Sequence, residues 1–149
     1  MKPQTWLRIA SALTLIHAVM HTIGGVFGKP VPGVATTVAA AMQANRFVVY
    51  GVTRSYADFY FGLGMGITIF LTATAGLLWQ LSRLKVDDLA RLRPVLATLA
   101  ITWLAFAINS ALYFFWAPVV FEIIIAACII ASIARTKPVW ISASVGARA

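Results

Sequence analysis

Two histidines stand four residues apart in the apolar segment LIHAVMHTIGG, residues 15–25, and they are the only histidines in the chain. On an α-helix, His17 and His21 would lie one turn apart on the same face. Ionisable groups are costly to bury in apolar surroundings, so they usually mark a site or pair with another polar group. The segment therefore directs attention to the other polar residues within apolar stretches.

Two acidic residues are candidate partners for these histidines. Glu122 lies inside the apolar run PVVFEIIIAACII, where no helix start requires an acid. Asp58 follows Ser55 in SYAD, a pattern that predicts a capping box at the start of a helix. A buried histidine and a buried carboxyl are suited to giving and taking protons. The candidate catalytic residues are therefore His17, His21, Glu122 and Asp58.

The composition indicates the class of protein that holds these residues. The chain has 149 residues, of which 61% are hydrophobic and 11% charged, whereas about 25% are charged in a typical soluble domain. Four apolar runs are each close to the ~20 residues that cross a hydrocarbon core. The sequence predicts an all-α integral membrane four-helix bundle, a single transmembrane domain over residues 1–149, with spans near 6–28, 57–81, 94–115 and 118–134 and a cytoplasmic tail over 135–149.

The net charge of +8 is distributed unevenly along the chain. Most basic residues fall before the first run, between the second and third runs, or after the fourth. The positive-inside rule then places both termini in the cytoplasm. We expect contact with anionic membrane lipids and no binding of nucleic acid. The opposite side carries only Lys29, Arg46 and Arg54.

The outer connection, residues 29–56, has a helical pattern of its own. Val34, Val38 and Met42 recur every four residues, which predicts a short amphipathic helix that lies on the membrane surface or folds back as a lid. Proline suits the first turn of a helix, so Pro94 and Pro118 predict the starts of the third and fourth helices. A short hairpin would then join these two helices.

Alternating the direction of the spans places the polar residues at one depth, in the outer half of the bundle. Asn109 and Tyr113 of the third span would share this layer with the two histidines, Asp58 and Glu122. Arg46 and Arg54 would reach it from the outer connection as counter-ions, and Trp116 would lie at its boundary. The candidate ligand-binding residues are therefore Asn109, Tyr113, Arg46, Arg54 and Trp116.

Three functions fit this polar layer. The leading one is acid/base handling, isomerase- or cyclase-like, or binding, of a lipophilic small molecule. The second is a metal site in which His17 and His21, with Glu122 or Asp58, hold a divalent ion such as zinc, iron or copper; no other cofactor is predicted. The third is a non-catalytic membrane subunit or a small transporter, although the sequence has no inverted repeat of the kind common in transporters.

Glycine spacing predicts helix packing in the second span. In FGLGMG, Gly62 and Gly66 have the small-xxx-small spacing that lets membrane helices approach closely. This pattern predicts close packing of the second span on the first, where Gly24 and Gly25 would serve the partner face. The same Gly62/Gly66 face is the predicted contact of a homo-oligomer.

The segments HAVMHTIGG and TRSYADFYFGLGMG, with four spans in a chain of this size, resemble a family of small four-helix hydrophobic bacterial membrane proteins. The resemblance covers most of the chain. It implies a bacterial inner membrane and four helices, and it supplies no catalytic residues, because that family has no assigned activity. The layout is also similar to that of compact membrane isomerases and cyclases, an analogy of architecture alone.

Overall fold

The structure is a computed structural model that describes residues 1–136 of the chain, and it is mostly helical. A π-helical turn, His21–Val26, continues the first helix. In chain order the helices and strands are α1 (Pro3–Met20), α2 (Val34–Ala44), β1 (Arg46–Val49), β2 (Val52–Ser55), α3 (Tyr56–Leu81), α4 (Val86–Arg91), α5 (Arg93–Tyr113) and α6 (Trp116–Ala134).

Four helices are long and apolar enough to cross a membrane: α1 with its π-helical turn, α3, α5 and α6. They coincide with the four predicted apolar runs, although each run differs from its helix by a few residues at one or both ends. This architecture points to a multipass membrane protein. The predicted tail over 135–149 lies outside the described residues from residue 137 onward.

The helix starts follow the proline signals. Pro94 is in the first turn of α5, as predicted, and Pro118 is in the first turn of α6. Only Phe114 and Phe115 join these two helices, so the predicted short hairpin is confirmed. Proline is tolerated at these positions because the first amides of a helix have no carbonyl partner within it.

The chain divides into two compact units, and the first consists of Met1–Leu13 with the residues from Gly76 onward. Each helix of this unit contributes at least one fully buried side chain. Gln4 Nε2 donates a hydrogen bond to the Leu84 carbonyl over 3.2 Å, and Arg93 Nη1 donates to the Thr136 carbonyl over 2.6 Å. The largest of the buried apolar side chains are Leu7, Leu78, Leu89, Leu96, Trp103, Ile125 and Ile129.

The second unit, Thr14–Ala75, holds a β-hairpin that the sequence analysis did not predict. Strands β1 and β2 pair antiparallel, with Phe47 opposite Arg54. Tyr50 and Gly51 form the turn with φ angles of 48° and 79°. Positive φ at both central residues matches the right-handed twist of a two-residue hairpin, and glycine adopts it without strain. The Phe47 ring packs on Tyr56 and Phe59, with centroids 4.9 Å and 5.4 Å apart.

Helix α2 also belongs to this unit and covers Val34–Ala44. It occupies the stretch in which Val34, Val38 and Met42 recur. Val34 and Val38 are exposed. Its predicted place on a membrane surface stays a prediction.

The start of α3 confirms the predicted capping box. The Asp58 amide donates to Ser55 Oγ over 3.1 Å, and the Ser55 amide donates to Asp58 Oδ2 over 2.8 Å. Two amides that have no partner within the helix are satisfied reciprocally. Ser55 is 2% exposed, so this bond pair is shielded from water at its serine end.

We predict that Ser55→Ala loosens the first turn of α3. Loss of a serine cap costs about 1 kcal/mol, which corresponds to about fivefold faster local opening. Hydrogen–deuterium exchange of the amides at residues 56–59 measures this in purified protein. Thr53→Ala is the matched control, because Thr53 is exposed on the same strand, two residues before Ser55. Equal exchange in the two variants would show that the cap contributes nothing.

Candidate functional site

Glu122 is the one buried acidic residue in the described part of the chain, at 3% exposure on α6. Ser110 on α5, itself 4% exposed, donates a hydrogen bond from Oγ to Glu122 Oε1 over 2.9 Å. The two-residue link between α5 and α6 makes them antiparallel neighbours, which brings the two side chains to the same level. This bond therefore joins the two helices of the hairpin inside the first unit.

The second carboxyl oxygen of Glu122 has a different environment. Oε2 is buried, and among residues 1–136 it has no hydrogen-bond partner. A buried polar atom without a partner costs about 1–3 kcal/mol when it is neutral and more when it is charged. Other buried polar atoms of residues 1–136 also lack a partner, among them Gln4 Oε1, Trp6 Nε1 and Ser132 Oγ. Glu122 differs from these residues because its side chain is a carboxyl, and its predicted role in a site stays a prediction.

Sequence reasoning missed Ser110. The polar residues predicted on the third span were Asn109 and Tyr113, whereas the buried face of α5 follows a different set of residues. A serine beside an asparagine carries little signal by itself. The available signal was the spacing of Ser110 from Ala100 and Ala107, which are small residues of the same buried face. That face comprises Leu96, Ala100, Trp103, Ala107 and Ser110.

The other predicted residues of this unit lie on its exposed side. Asn109 is exposed, and Tyr113 and Trp116 are 75% and 77% exposed. Their side chains are therefore open to lipid, to water or to a further molecule. The prediction that they contact a ligand stays a prediction.

In the second unit, His21 connects two long helices. Its Nε2 lies 3.1 Å from the Gly64 carbonyl oxygen on α3. A carbonyl only accepts hydrogen bonds, so Nε2 carries the proton and donates. One residue later, Thr22 Oγ1 donates to the Ala18 carbonyl over 2.6 Å and lies 3.0 Å from Thr68 Oγ1. Because the Thr22 proton is engaged with Ala18, the Thr68 hydroxyl donates in this second bond.

The π-helical turn changes the face predicted for the histidine segment. It begins at His21, and the Phe27 amide bonds to the Thr22 carbonyl over 3.0 Å, a spacing of five residues. This wider turn ends the 3.6-residue period after His21, so the helical phase of His17 and His21 does not extend to Gly24 and Gly25. A Cβ on Gly25 would lie 3.3 Å from His21 Nδ1. Gly25 therefore makes room for the imidazole ring.

His17 precedes this turn within the regular part of α1. It is 9% exposed, so its imidazole is largely withdrawn from the surroundings, as predicted for a histidine in an apolar run. Its predicted role as an acid/base group stays a prediction.

The glycine that meets a neighbouring helix is Gly64. A Cβ there would lie 3.1 Å from Val26 Cγ2 of the π-helical turn, whereas open space lies beside both Gly62 and Gly66. The prediction that Gly62 and Gly66 pack on the first span is therefore wrong. Gly64 is two residues from each, so it lies on the opposite face of α3. The homo-oligomer predicted through the Gly62/Gly66 face stays a prediction.

Arg46, Arg54 and Asp58 are placed together by the hairpin and the first turn of α3. Both guanidinium groups interact electrostatically with the Asp58 carboxylate, and Arg54 Nη1 donates to the Thr53 carbonyl over 3.0 Å. The predicted role of Arg46 and Arg54 as counter-ions of the polar layer stays a prediction. An open groove of about 510 Å³ lies here, lined by Val49, Tyr50, Val52, Arg54, Asp58, Phe59, Gly62 and Leu63.

The predicted metal site has no ready-made ligand set. Across residues 1–136, no group of three or more His, Cys, Asp or Glu side chains is arranged to hold a metal ion. Cys128 is buried on α6 among apolar neighbours in sequence, in keeping with a small packing residue.

The fold points to a helical, multipass membrane protein, and within residues 1–136 one acidic side chain is buried. No family model, curated protein or solved structure matches the chain. The resemblance inferred from HAVMHTIGG and TRSYADFYFGLGMG therefore stays a prediction, and function has to be inferred from the side chains themselves.

We predict that Gly64→Ile destabilises the protein and that Gly62→Ile does not. A side chain at residue 64 would displace Val26, and overpacking of this kind costs about 1–3 kcal/mol. Thermal unfolding of the purified variants in detergent measures the difference. A Gly64→Ile variant as stable as wild type would contradict the close approach. A loss confined to Gly62→Ile, with a halved mass in detergent, would instead locate a homo-oligomer contact.

Proposed function

We propose that the protein is a multipass protein of the bacterial inner membrane, with both termini in the cytoplasm, that binds a lipophilic small molecule and exchanges a proton with it. The Glu122 carboxyl is the exchanging group. The orientation rests on the uneven distribution of basic residues. The chemistry rests on the surroundings of Glu122 in the hairpin of α5 and α6.

One observation carries this proposal: the buried Glu122 carboxyl has one oxygen in a hydrogen bond and the other without a partner among the described residues. Ser110 fixes Oε1, and Oε2 has no partner within the described residues. A purely structural carboxyl would be expected to satisfy both oxygens, because an unpartnered one is costly in apolar surroundings. A ligand with a hydroxyl, carbonyl or amine group would supply the missing hydrogen bond.

The surroundings of the carboxyl indicate the class of ligand. The α6 helix is the most apolar of the four, and Ile123 and Ile124 beside Glu122 in sequence are exposed. A molecule that approaches through lipid would meet exposed apolar side chains next to Glu122 in sequence. Such a molecule would be lipophilic over most of its length and would carry one polar group for Oε2.

The chemistry open to this arrangement is proton transfer without change of oxidation state. In an isomerisation or cyclisation, a carboxyl delivers one proton to the substrate and recovers one from it, so the protein ends as it began. Ser110 orients the group and holds the oxygen that does not react. His17, which the sequence predicts as an acid/base group, belongs to the other unit, and within that unit the bond of His21 to Gly64 gives His21 a positioning role.

The remaining alternatives differ in what would favour them. A metal-binding protein would need further ligands beyond those arranged in residues 1–136. A non-catalytic subunit would use the open Gly62/Gly66 face. A transporter would couple movement of its cargo to proton exchange, for which Glu122 is also the natural group.

We predict that Glu122→Leu loses a co-purifying lipophilic molecule that wild-type protein retains. Protein is extracted with its native lipids in polymer nanodiscs, and bound small molecules are identified by liquid chromatography and mass spectrometry. Glu122→Gln keeps the hydrogen bonds but cannot exchange a proton, so it should retain the molecule in unconverted form. Ser110→Ala should weaken retention by about fivefold, since one hydrogen bond contributes about 1 kcal/mol.

Ser132→Ala is the matched control for these variants. Ser132 is also fully buried on α6, and it is ten residues, or about 15 Å, further along the helix. It should leave the bound molecules unchanged. Identical contents in wild type, Glu122→Leu and Ser132→Ala, all folded, would refute ligand binding at Glu122. Equal conversion by Glu122→Gln and wild type would refute the proton exchange alone.

A further inference from the structure

A polar pocket lies in the first unit, where the start of α1 meets the end of α3. Its volume is about 380 Å³, large enough for a phosphate with part of its substituent. Its lining residues are separate in sequence from Glu122 and from the hairpin of α5 and α6. The residues that line it are Lys2, Gln4, Thr5, Arg8, Ser82, Arg83 and Leu84.

Three cations surround this pocket, and no acid faces them among the described residues that line it. Lys2, Arg8 and Arg83 all have exposed side chains, so each is able to turn toward a bound anion. Asp87 and Asp88, the acids of the same connection, belong to α4 and do not line the pocket. The pocket therefore carries a concentrated positive charge without a built-in counter-ion.

Hydrogen bonds hold the wall of the pocket in place. Gln4 Nε2 donates to the Leu84 carbonyl over 3.2 Å and so joins the start of α1 to the chain after α3. Ser82 is 1% exposed, and its Oγ donates to the Trp79 carbonyl over 2.7 Å. These bonds preorganise the pocket, which lowers the entropy lost when an anion binds.

The start of α1 adds to the positive potential. The first turn of a helix presents amides without helical partners and a partial positive charge, which favour anions. No acidic residue occupies this first turn. The helix start thus acts in the same direction as the three side chains.

We propose that this pocket binds the phosphate of an anionic phospholipid headgroup. The pocket lies at the ends of two helices that are long and apolar enough to cross a membrane, which is the depth of the phosphate groups. Arginine and lysine with a helix start form the donor set that phosphate prefers. The site holds one specifically bound lipid, which goes beyond the general attraction of basic loops to anionic leaflets.

Native mass spectrometry of the full-length protein tests this site with defined lipids. Delipidated protein is titrated with phosphatidylglycerol, with phosphatidylcholine and with inorganic phosphate. Phosphatidylglycerol should bind in preference to phosphatidylcholine. Arg8→Gln and Arg83→Gln should each weaken its binding by about fivefold, the fold-change that corresponds to about 1 kcal/mol for each basic residue.

Arg91→Gln is the control, because it removes the same charge from the same connection at an exposed position outside the pocket. It should leave phosphatidylglycerol binding within twofold of wild type. Equal losses in Arg91→Gln and Arg83→Gln would overturn the proposal and leave only diffuse attraction. Saturable binding of inorganic phosphate that displaces no lipid would overturn the lipid as the source of the phosphate. Thermal unfolding without lipid verifies that the variants fold.

Discussion

The cost of an unsatisfied polar group in apolar surroundings is the constraint on which this structure depends. Long apolar helices satisfy their own backbone groups, and every polar side chain within them needs a partner nearby. Five threonines obey this by bonding back to a carbonyl one turn earlier, a pattern open to serine and threonine in helices. Glu122 cannot do so, and it engages Ser110 with one oxygen only. The threonines that bond back in this way are Thr22, Thr72, Thr74, Thr98 and Thr102.

The same constraint explains how polar groups connect neighbouring helices. In membranes, helices associate through close packing and hydrogen bonds, because apolar burial gives no preference for helix over lipid. His21 bonds to the Gly64 carbonyl, and Gly64 lets Val26 approach that region of α3. One polar contact and one glycine therefore act together. His21, which the sequence predicted as a catalytic residue, forms a hydrogen bond that connects two helices. In Glu122, by contrast, Oε2 has no hydrogen-bond partner among the described residues.

The sequence predicted those features that depend on length or on adjacent residues. Four apolar runs marked the spanning helices, and SYAD marked the capping box at Ser55 and Asp58. It did not predict the π-helical turn at His21, because an extra residue in a turn leaves the composition unchanged. The small-xxx-small spacing indicated Gly62 and Gly66 instead of Gly64, because spacing identifies residues on one face without showing whether that face meets a neighbouring helix. Ser110 was missed for a similar reason: its partner is twelve residues away and is fixed by tertiary packing.

The central claim is that Glu122 is a proton-exchanging carboxyl that lipophilic molecules reach and water does not. Chemical modification tests this directly, because carbodiimides react with protonated carboxyl groups. Membranes that contain the full-length protein are treated with dicyclohexylcarbodiimide or with a water-soluble carbodiimide, and modified peptides are mapped by mass spectrometry. The account predicts that the lipophilic reagent modifies Glu122 and that the water-soluble reagent does not. Glu122 left unmodified by both reagents, or modified equally by both, would contradict it.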